Sequence, residues 1–351
     1  MKFYQVPEVI ARVEGRCARL TLNRPQALHA LTEPMCAAIT AALLAWREDP
    51  LVDLVLIDHA GERGFCAGGD IRMVAQSGAG DGAAGAEFFL TEYRLNHLLF
   101  VYPKPLVAVM DGVVMGGGAG LSLPCSHRIA TERTLFAMPE TGIGLFPDVG
   151  GGWFLPRLPS TSGVWLGLTG ARLKAAECLA LGLATDYVDL ASLKTVRAAL
   201  ADGADPKDAL APSASVPPAA GLTHHPRLAA LFGGTTVQAV LATLAADGSD
   251  WARTQHATLL TKSPLSMAVS LRHMRAGAGA SSFAEVMRNE FRIANRMMRQ
   301  HDFQEGVRAL IVDKDNAPRW TPADIADVPD ALLDSVFAPL GHEWTPLPGV
   351  A

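Results

Sequence analysis

Two acidic residues, Glu140 and Asp148, lie in a stretch of sequence that is otherwise apolar and rich in glycine, residues 136–152. Apolar surroundings disfavour the charged form of a carboxylate, which raises its pKa towards the range that is useful for proton transfer. The pair could therefore activate a water molecule or attack a carbonyl carbon directly. The same residues also fit a helix cap at Glu140 and a turn at Asp148, and this stretch alone leaves both interpretations open.

Two further stretches concentrate glycine, at residues 65–71 and 115–122. Glycine lets backbone N–H groups face a site with no side chain in the way. A glycine run between a buried strand and a helix leaves free N–H groups that can hold a developing oxyanion. A phosphate cradle is the rival, but neither GxxxxGK[ST] nor GxGxxG occurs at these positions, which disfavours nucleotide binding. Tight turns with close backbone packing are the non-catalytic alternative.

Strands and helices that alternate along the first third of the chain would position these segments. Residues 9–22 predict a β-hairpin, and Thr32 predicts the N-cap of a helix. The apolar runs 51–57 and 106–110 predict strands buried on both faces, and residues 88–100 have apolar side chains at helical spacing. This alternation indicates an α/β layered domain.

Residues 206–225 differ in composition from the rest, with Asp-Pro, Pro-Pro and several Ser and Ala. They predict a linker or surface loop between a first region, residues 1–205, and a last region, residues 226–351. The last region has helical patterning and no convincing strand. Its arginine-rich stretch, residues 288–299, predicts a solvated or phosphate-facing side of a helix.

Composition narrows the class of protein. The chain has 351 residues, of which 49% are hydrophobic, and a net charge of −5, which argues against disorder and against a general nucleic-acid binder. Its apolar stretches are too short for a membrane helix, and residues 1–9 show no signal or transit pattern. The five cysteines form no CxxC pair and the histidines are scattered. We therefore expect reduced thiols, no metal site and a cytoplasmic location.

The glycine segments, together with residues 22–25 and 29–31, resemble the crotonase (enoyl-CoA hydratase/isomerase) superfamily over roughly residues 5–200. Residues 136–158 and 263–320 resemble, within it, the 3-hydroxyisobutyryl-CoA hydrolases. The resemblance implies an α/β fold, in which ββα units form a spiral that binds acyl-CoA in residues 1–205. An α-helical C-terminal region, residues 226–351, would complete the enzyme.

The resemblance also implies a set of site residues. The backbone N–H groups of Gly69 and Gly117 would form an oxyanion hole for the thioester carbonyl. Glu140 and Asp148 would be the catalytic acidic pair, and Glu92 would contact the substrate.

Three other residues lie close to these motifs in the sequence. Asp70 is expected to brace its loop or cap the following helix. Arg24 and Lys314 are candidates to contact the phosphates of CoA, since both lie in segments that the family places near CoA. Both residues also fit ordinary surface cations.

The implied reaction is hydrolysis of 3-hydroxyisobutyryl-CoA, or of 3-hydroxypropionyl-CoA, to the free acid and CoA, as in valine breakdown. The acyl-CoA thioester would be the only partner apart from further copies of the chain in a homo-oligomer, with no nucleic acid, no membrane and no cofactor besides the CoA of the substrate. Two alternatives stay open, an enoyl-CoA hydratase or isomerase and a non-catalytic acyl-CoA-binding protein. Hydratases carry a first catalytic glutamate just after the glycine triplet, where this chain has Gly120.

Overall fold

The structure, a computed structural model, describes residues 6–217 and 227–350. The strands β1 to β9 are Val9–Glu14, Cys17–Leu22, Leu54–His59, Gly64–Cys66, Leu106–Met110, Val113–Met115, His127–Ala130, Leu135–Ala137 and Asp186–Tyr187. The helices α1 to α16 are Glu33–Arg47, Ile71–Gly78, Ala83–Phe100, Gly117–Ser122, Gly151–Phe154, Ser162–Thr169, Ala175–Ala180, Leu193–Ala201, Pro206–Leu210, Leu228–Phe232, Val237–Asp247, Asp250–Leu259, Pro264–Ala278, Phe283–Met297, His301–Val307 and Asp330–Phe337.

The strands form two sheets. The larger sheet has the order β1-β2-β3-β5-β7-β9, and the smaller has the order β4-β6-β8. Only the β1–β2 pairing is antiparallel, and the other pairings within the two sheets are parallel. Three successive pairs, β3–β4, β5–β6 and β7–β8, each place their first strand in the larger sheet and their second in the smaller one. A helix follows each pair, so the chain advances through three ββα units, as the resemblance implied.

Local sequence features account for several of these elements. The predicted hairpin is confirmed, with Val9 opposite Leu22. Thr32 caps α1, since its side chain accepts a hydrogen bond from the backbone N–H of Met35, and this prediction is also confirmed. Strand β3 begins later than its apolar run, because Leu51 lies in an exposed turn, 66% accessible to solvent.

Strand β3 shows why strands of the larger sheet are nearly continuous apolar runs in the sequence. All six of its residues are buried, and successive side chains of a strand point to opposite faces. Val55 and Ile57 pack into the main core, whereas Leu54 and Leu56 pack into a second, smaller core beneath α8 and α9. The main core also contains side chains from α10 to α14, so the helical C-terminal region packs directly on the region that carries the sheets.

The predicted linker begins instead as a packed helix. Asp205 caps α9 by accepting a hydrogen bond from the backbone N–H of Lys207, and Pro206 stands at its first position. Asp-Pro suits a helix start as well as a turn, and burial of Ala209 and Leu210 in the second core decides between the two. The last part of the segment, residues 218–225, lies outside the described residues, and the division at residue 205 stays a prediction.

Candidate active site

A cavity of about 70 Å³ lies where the glycine-rich loops of the ββα units meet α3. It is lined by all five residues predicted for the chemistry and for the substrate contact: Gly69, Glu92, Gly117, Glu140 and Asp148. Apolar side chains, including Phe88, Phe89 and Leu145, supply much of the remaining wall. The fold therefore brings together residues that are up to 79 positions apart in the chain.

The two glycines lie at places where backbone N–H groups are not used by regular structure. Leu31 donates a hydrogen bond to the carbonyl of Gly68 and accepts one from the N–H of Asp70. This bridge uses the Gly68 carbonyl and the Asp70 N–H, and the Gly69 N–H has no backbone hydrogen-bond partner within the described part of the chain. Gly117 is the first residue of α4, and the first N–H groups of a helix have no partner inside it. Both amides are thus available to an acceptor in the cavity.

Side chains are excluded at these glycines by close neighbours. A Cβ atom on Gly117 would lie 2.7 Å from Glu92 Oε1 and 3.0 Å from Leu31 Cδ1, and a Cβ on Gly69 would lie 2.8 Å from Phe88 Cζ. Gly116 has a φ of +47°, a conformation that favours glycine. The sequence pattern therefore has a steric cause, which is the close approach of the two loops to α3.

Glu140 begins a 3₁₀ turn, Glu140–Ile143, and its side chain is buried. Within the described residues, its Oε2 atom has no hydrogen-bond partner. Burial, and then the charge of Asp148, raises the pKa of Glu140 well above its usual value. A buried carboxyl oxygen without a partner is costly in free energy, and such a group in a cavity is a candidate to meet a ligand or a water molecule.

Asp148 is buried and accepts a hydrogen bond of 2.7 Å from the hydroxyl of Tyr93. Burial, and then the charge of Glu290, raises the pKa of Asp148 to about 7, although the hydrogen bond from Tyr93 opposes the shift. A carboxyl group with this pKa exchanges protons near neutral pH.

Glu92 is the third carboxyl group of the cavity and lies on α3. Burial, and then the charges of Asp148 and Glu290, raises its pKa well above the usual value. Its Oε1 atom has no hydrogen-bond partner among the described residues. Because three buried carboxyl groups share one small cavity, they cannot all be charged at neutral pH without large repulsion.

Sequence reasoning missed Glu290, which it placed on a solvated helix side. Glu290 is 0% exposed and accepts hydrogen bonds from the backbone N–H groups of Gly150, at 2.8 Å, and Gly152, at 3.1 Å. It also lies 3.0 Å from Nε2 of His273. Helical spacing in the sequence could have indicated this burial, because Glu290 follows Val286 and Met287 on the buried face of α14.

The two residues predicted to contact CoA differ in their surroundings. Arg24 lines a second cavity of about 440 Å³ that shares Ala67, Gly69 and Ile71 with the first. Arg24 also pairs with Asp70 at 2.9 Å. Lys314 is exposed and is not among the described residues that line this cavity.

Local hydrogen bonds hold two further side chains near the site, those of Asp70 and His29. Asp70 caps α2 by accepting a hydrogen bond from the N–H of Met73, so its predicted capping role is confirmed. His29 lies in a turn with a φ of +56°. It is buried, and its Nδ1 atom accepts a hydrogen bond from the N–H of Arg24.

Neither a thiol nucleophile nor a metal is favoured by the geometry. Burial raises the pKa of Cys66 to about 12, and its thiol donates to the carbonyl of His29, so it stays protonated. In the described part of the chain, no group of three or more His, Cys, Asp or Glu side chains is arranged to hold a metal ion. Residues 6–217 and 227–350 include no helix with both the length and the apolar character needed to cross a membrane.

A family sequence model described as "Enoyl-CoA hydratase/isomerase" matches residues 17–337. The chain belongs to this family. The family prediction made from the glycine segments is therefore confirmed.

Curated relatives in the enoyl-CoA hydratase/isomerase family match over nearly the whole chain. A protein of Xenopus laevis is 42% identical over 338 residues, which cover 93% of this chain and 88% of the relative. A human protein is 39% identical over 345 residues, which cover 95% and 89%. Both are named "3-hydroxyisobutyryl-CoA hydrolase, mitochondrial".

Solved structures of the family confirm the fold. One, described as a carnitinyl-CoA dehydratase from Mycobacterium thermoresistibile, has a TM-score of 0.92 and 39% identity, covering 97% of this chain and 99% of its own. Another, described as an enoyl-CoA hydratase from Rhodobacter sphaeroides 2.4.1, has a TM-score of 0.88 and 40% identity, covering 96% and 99%. The predicted crotonase fold with a helical C-terminal region is thus confirmed.

The position of the first hydratase glutamate in this family has no room for a side chain here. A Cβ atom on Gly120 would lie 2.7 Å from Asn96 Nδ2 and 2.7 Å from Val149 Cβ. Both neighbours are buried, so neither is a loose surface group that could move aside. The carboxyl groups available to the cavity are therefore those of Glu92, Glu140 and Asp148.

Proposed function

We propose that the chain is a thioesterase that hydrolyses 3-hydroxyisobutyryl-CoA to 3-hydroxyisobutyrate and CoA, the reaction of valine breakdown. The observation that carries the proposal is the buried carboxyl group of Glu140, whose Oε2 atom has no hydrogen-bond partner among the described residues, in one small cavity with the backbone amides of Gly69 and Gly117. The names of the curated relatives support the same reaction.

The two amides would receive the thioester carbonyl oxygen. As a nucleophile adds to the carbonyl carbon, that oxygen gains negative charge, and two fixed N–H donors stabilise it in a site that excludes bulk water. Collapse of the tetrahedral intermediate breaks the C–S bond. CoA leaves as a thiolate and takes up a proton, and the acyl group keeps an oxygen atom that comes from water.

Glu140 would act by one of two routes, which the geometry leaves open. As a general base, it removes a proton from the attacking water molecule. As a nucleophile, it forms a mixed anhydride and releases CoA, and water then opens the anhydride to the acid and the free carboxylate. Both routes need Glu140 in its charged form, and both use the same oxyanion hole.

Asp148 and Glu92 would handle the water and the substrate's 3-hydroxyl group. Asp148, anchored by Tyr93, would position the water or accept a hydrogen bond from the hydroxyl. Glu92, whose Oε1 atom lies close to Gly117, would contact the substrate beside the carbonyl. The larger cavity that contains Arg24 would take part of the CoA chain, and Lys314 stays a candidate only as an exposed cation.

Removing the hydroxyl of Tyr93 should alter the pH dependence of turnover. The bond from Tyr93 favours the charged form of Asp148, so Tyr93→Phe should raise the pKa of Asp148 above its value of about 7. If charged Asp148 positions the water, the acidic limb of kcat/KM then moves to higher pH, and activity at pH 6 falls more than activity at pH 9. Tyr102→Phe, which removes a hydroxyl bonded to the Leu43 carbonyl instead, is the control. A Tyr93→Phe profile that matches the wild type would remove this role of Asp148.

A second candidate function is enoyl-CoA hydration, which the description of the Rhodobacter structure favours. Adding water across a double bond needs an acid and a base beside the Cα–Cβ bond, and Gly120 supplies no carboxyl group. We expect CoA release from 3-hydroxyisobutyryl-CoA and hydration of crotonyl-CoA at less than roughly 1% of that rate, since an absent acid or base costs about 10²–10⁴-fold. Faster hydration than hydrolysis would reverse the choice, and CoA binding with neither reaction would support a binding protein.

Several finer points belong to the proposal. 3-Hydroxypropionyl-CoA lacks one methyl group, which is typically worth about 1–3 kcal/mol in a pocket, so we expect it to be a slower substrate. No cofactor besides the CoA of the substrate is proposed. A homo-oligomer and a cytoplasmic location stay predictions, and the word "mitochondrial" in the relatives' names gives the cytoplasmic location no support.

A further inference from the structure

The loop that carries Asp148 into the cavity has an unfavourable backbone conformation. Val149 has a φ of +51°, which is an outlier for a β-branched residue. Such a conformation persists only where surrounding contacts enforce it. Gly150 follows with a φ of +92°, and both Asp148 and Val149 line the cavity.

The contacts that enforce this loop come from α14, which is distant in sequence. One carboxyl oxygen of Glu290 accepts from the N–H of Gly150, and the other accepts from the N–H of Gly152. The second oxygen also meets Nε2 of His273, which lies on α13. Gly152 must lack a side chain, because a Cβ there would lie 2.2 Å from His273 Nε2.

We propose that Glu290 is a positioning residue for the reaction. Its carboxylate holds the loop Val149–Gly152 through the backbone N–H groups of Gly150 and Gly152, and the loop in turn fixes Asp148 in the cavity. Of the described residues that line the cavity, none comes from α14, so Glu290 acts through the loop and not by touching substrate. This inference rests on the proposed thioesterase function for its kinetic readout.

The charge of Glu290 gives a second, measurable effect. The groups that face Asp148 are Tyr93 and Glu92 from α3, Glu140 from its 3₁₀ turn and Glu290 from α14, with His273 behind Glu290 on α13. Glu290 raises the pKa of Asp148. Removing this charge should therefore lower that pKa and move the acidic limb of the pH profile to lower pH.

Two substitutions separate geometry from charge. Glu290→Gln removes the charge and turns one oxygen into an N–H₂ group, which cannot accept from a loop amide. Its kcat should fall on the order of 100-fold, the effect of a misplacement of about 1 Å, with KM little changed and the acidic limb shifted to lower pH. Glu290→Asp keeps the charge, but its shorter side chain moves the carboxylate away from the loop amides. Its kcat should therefore fall with no shift of the acidic limb. Glu285→Gln, on the same helix and with a side chain that accepts hydrogen bonds from Ser281, is the matched control.

A merely structural role would give a different result. Lower thermal stability, with wild-type kcat per folded molecule and a wild-type pH profile, would overturn the proposal. If Glu290→Gln does not fold, Glu290→Asp carries the test by its kcat alone, and a wild-type kcat would overturn the proposal.

If the wild type releases no CoA, the proposed function fails, but the positioning role of Glu290 can still be tested. Crystal structures of the wild type and of the Glu290 variant then decide it. A φ of Val149 that leaves the positive region in the variant, with loss of the Tyr93–Asp148 hydrogen bond, supports the proposal. An unchanged loop overturns it.

Discussion

Glu140→Gln is expected to lower kcat for CoA release roughly 10³-fold or more, because it removes the base or nucleophile of either route. Gln has nearly the same shape, so substrate binding should persist. The folded protein raises the pKa of Glu140 above the unfolded value of 4.5, so its ionisation at higher pH costs folding free energy. The variant lacks this cost, so at pH 8 its melting temperature should equal or exceed that of the wild type. Near pH 4, its melting temperature should not exceed that of the wild type.

The control for Glu140→Gln is Glu87→Gln, a surface position on α3, which should match the wild type in rate and stability. Rates are measured by reaction of released CoA with a thiol-reactive dye, and melting by circular dichroism. A Glu140→Gln enzyme with near wild-type kcat would remove Glu140 from the centre of the reaction, whatever its stability.

Gly117→Ala should have the second largest effect, a loss of about 10²-fold in kcat, which is typical of a damaged oxyanion hole. The new methyl group would lie 2.7 Å from Glu92 Oε1 and 3.0 Å from Leu31 Cδ1, so the loop or the Glu92 side chain must shift. Overpacking of this kind also costs about 1–3 kcal/mol of stability. The two measurements are the steady-state rate of CoA release and the melting temperature of the variant.

Gly142→Ala is a demanding control for Gly117→Ala. Gly142 lies two residues after Glu140, yet a Cβ there would come no closer than 3.5 Å to its nearest neighbour, Nζ of Lys262. We expect wild-type turnover from this variant. If both alanine variants retained wild-type kcat, the close approach of Glu92 and Leu31 to Gly117 would not matter for the reaction.

Local patterns in the sequence were sufficient to predict the strands and helices that carry the site. Apolar runs and the cap at Thr32 predicted the strands and helix of the first region, because burial on both faces and capping are local demands. The glycine segments predicted the loops around the cavity, because close backbone approach excludes side chains. The structure then brought Gly69, Glu92, Gly117, Glu140 and Asp148 to one cavity.

Long-range contacts explain what the sequence did not reveal. Glu290 looks like one more charge in an arginine-rich helix, and only packing against residues about 140 positions away makes it a buried acceptor. The start of α9 looked like a linker because Asp-Pro fits a turn as well as a helix start, and tertiary burial of Leu210 decided the outcome.

The most direct test of the central claim, that the chain hydrolyses the thioester with an oxygen atom from water, is turnover of 3-hydroxyisobutyryl-CoA in ¹⁸O-labelled water with mass analysis of the products over many turnovers. The account predicts free 3-hydroxyisobutyrate that carries one ¹⁸O in its carboxyl group, formed in equal amounts with the CoA thiol. The absence of labelled acid and of free thiol, with the CoA thioester intact or changed only in its acyl chain, would contradict it.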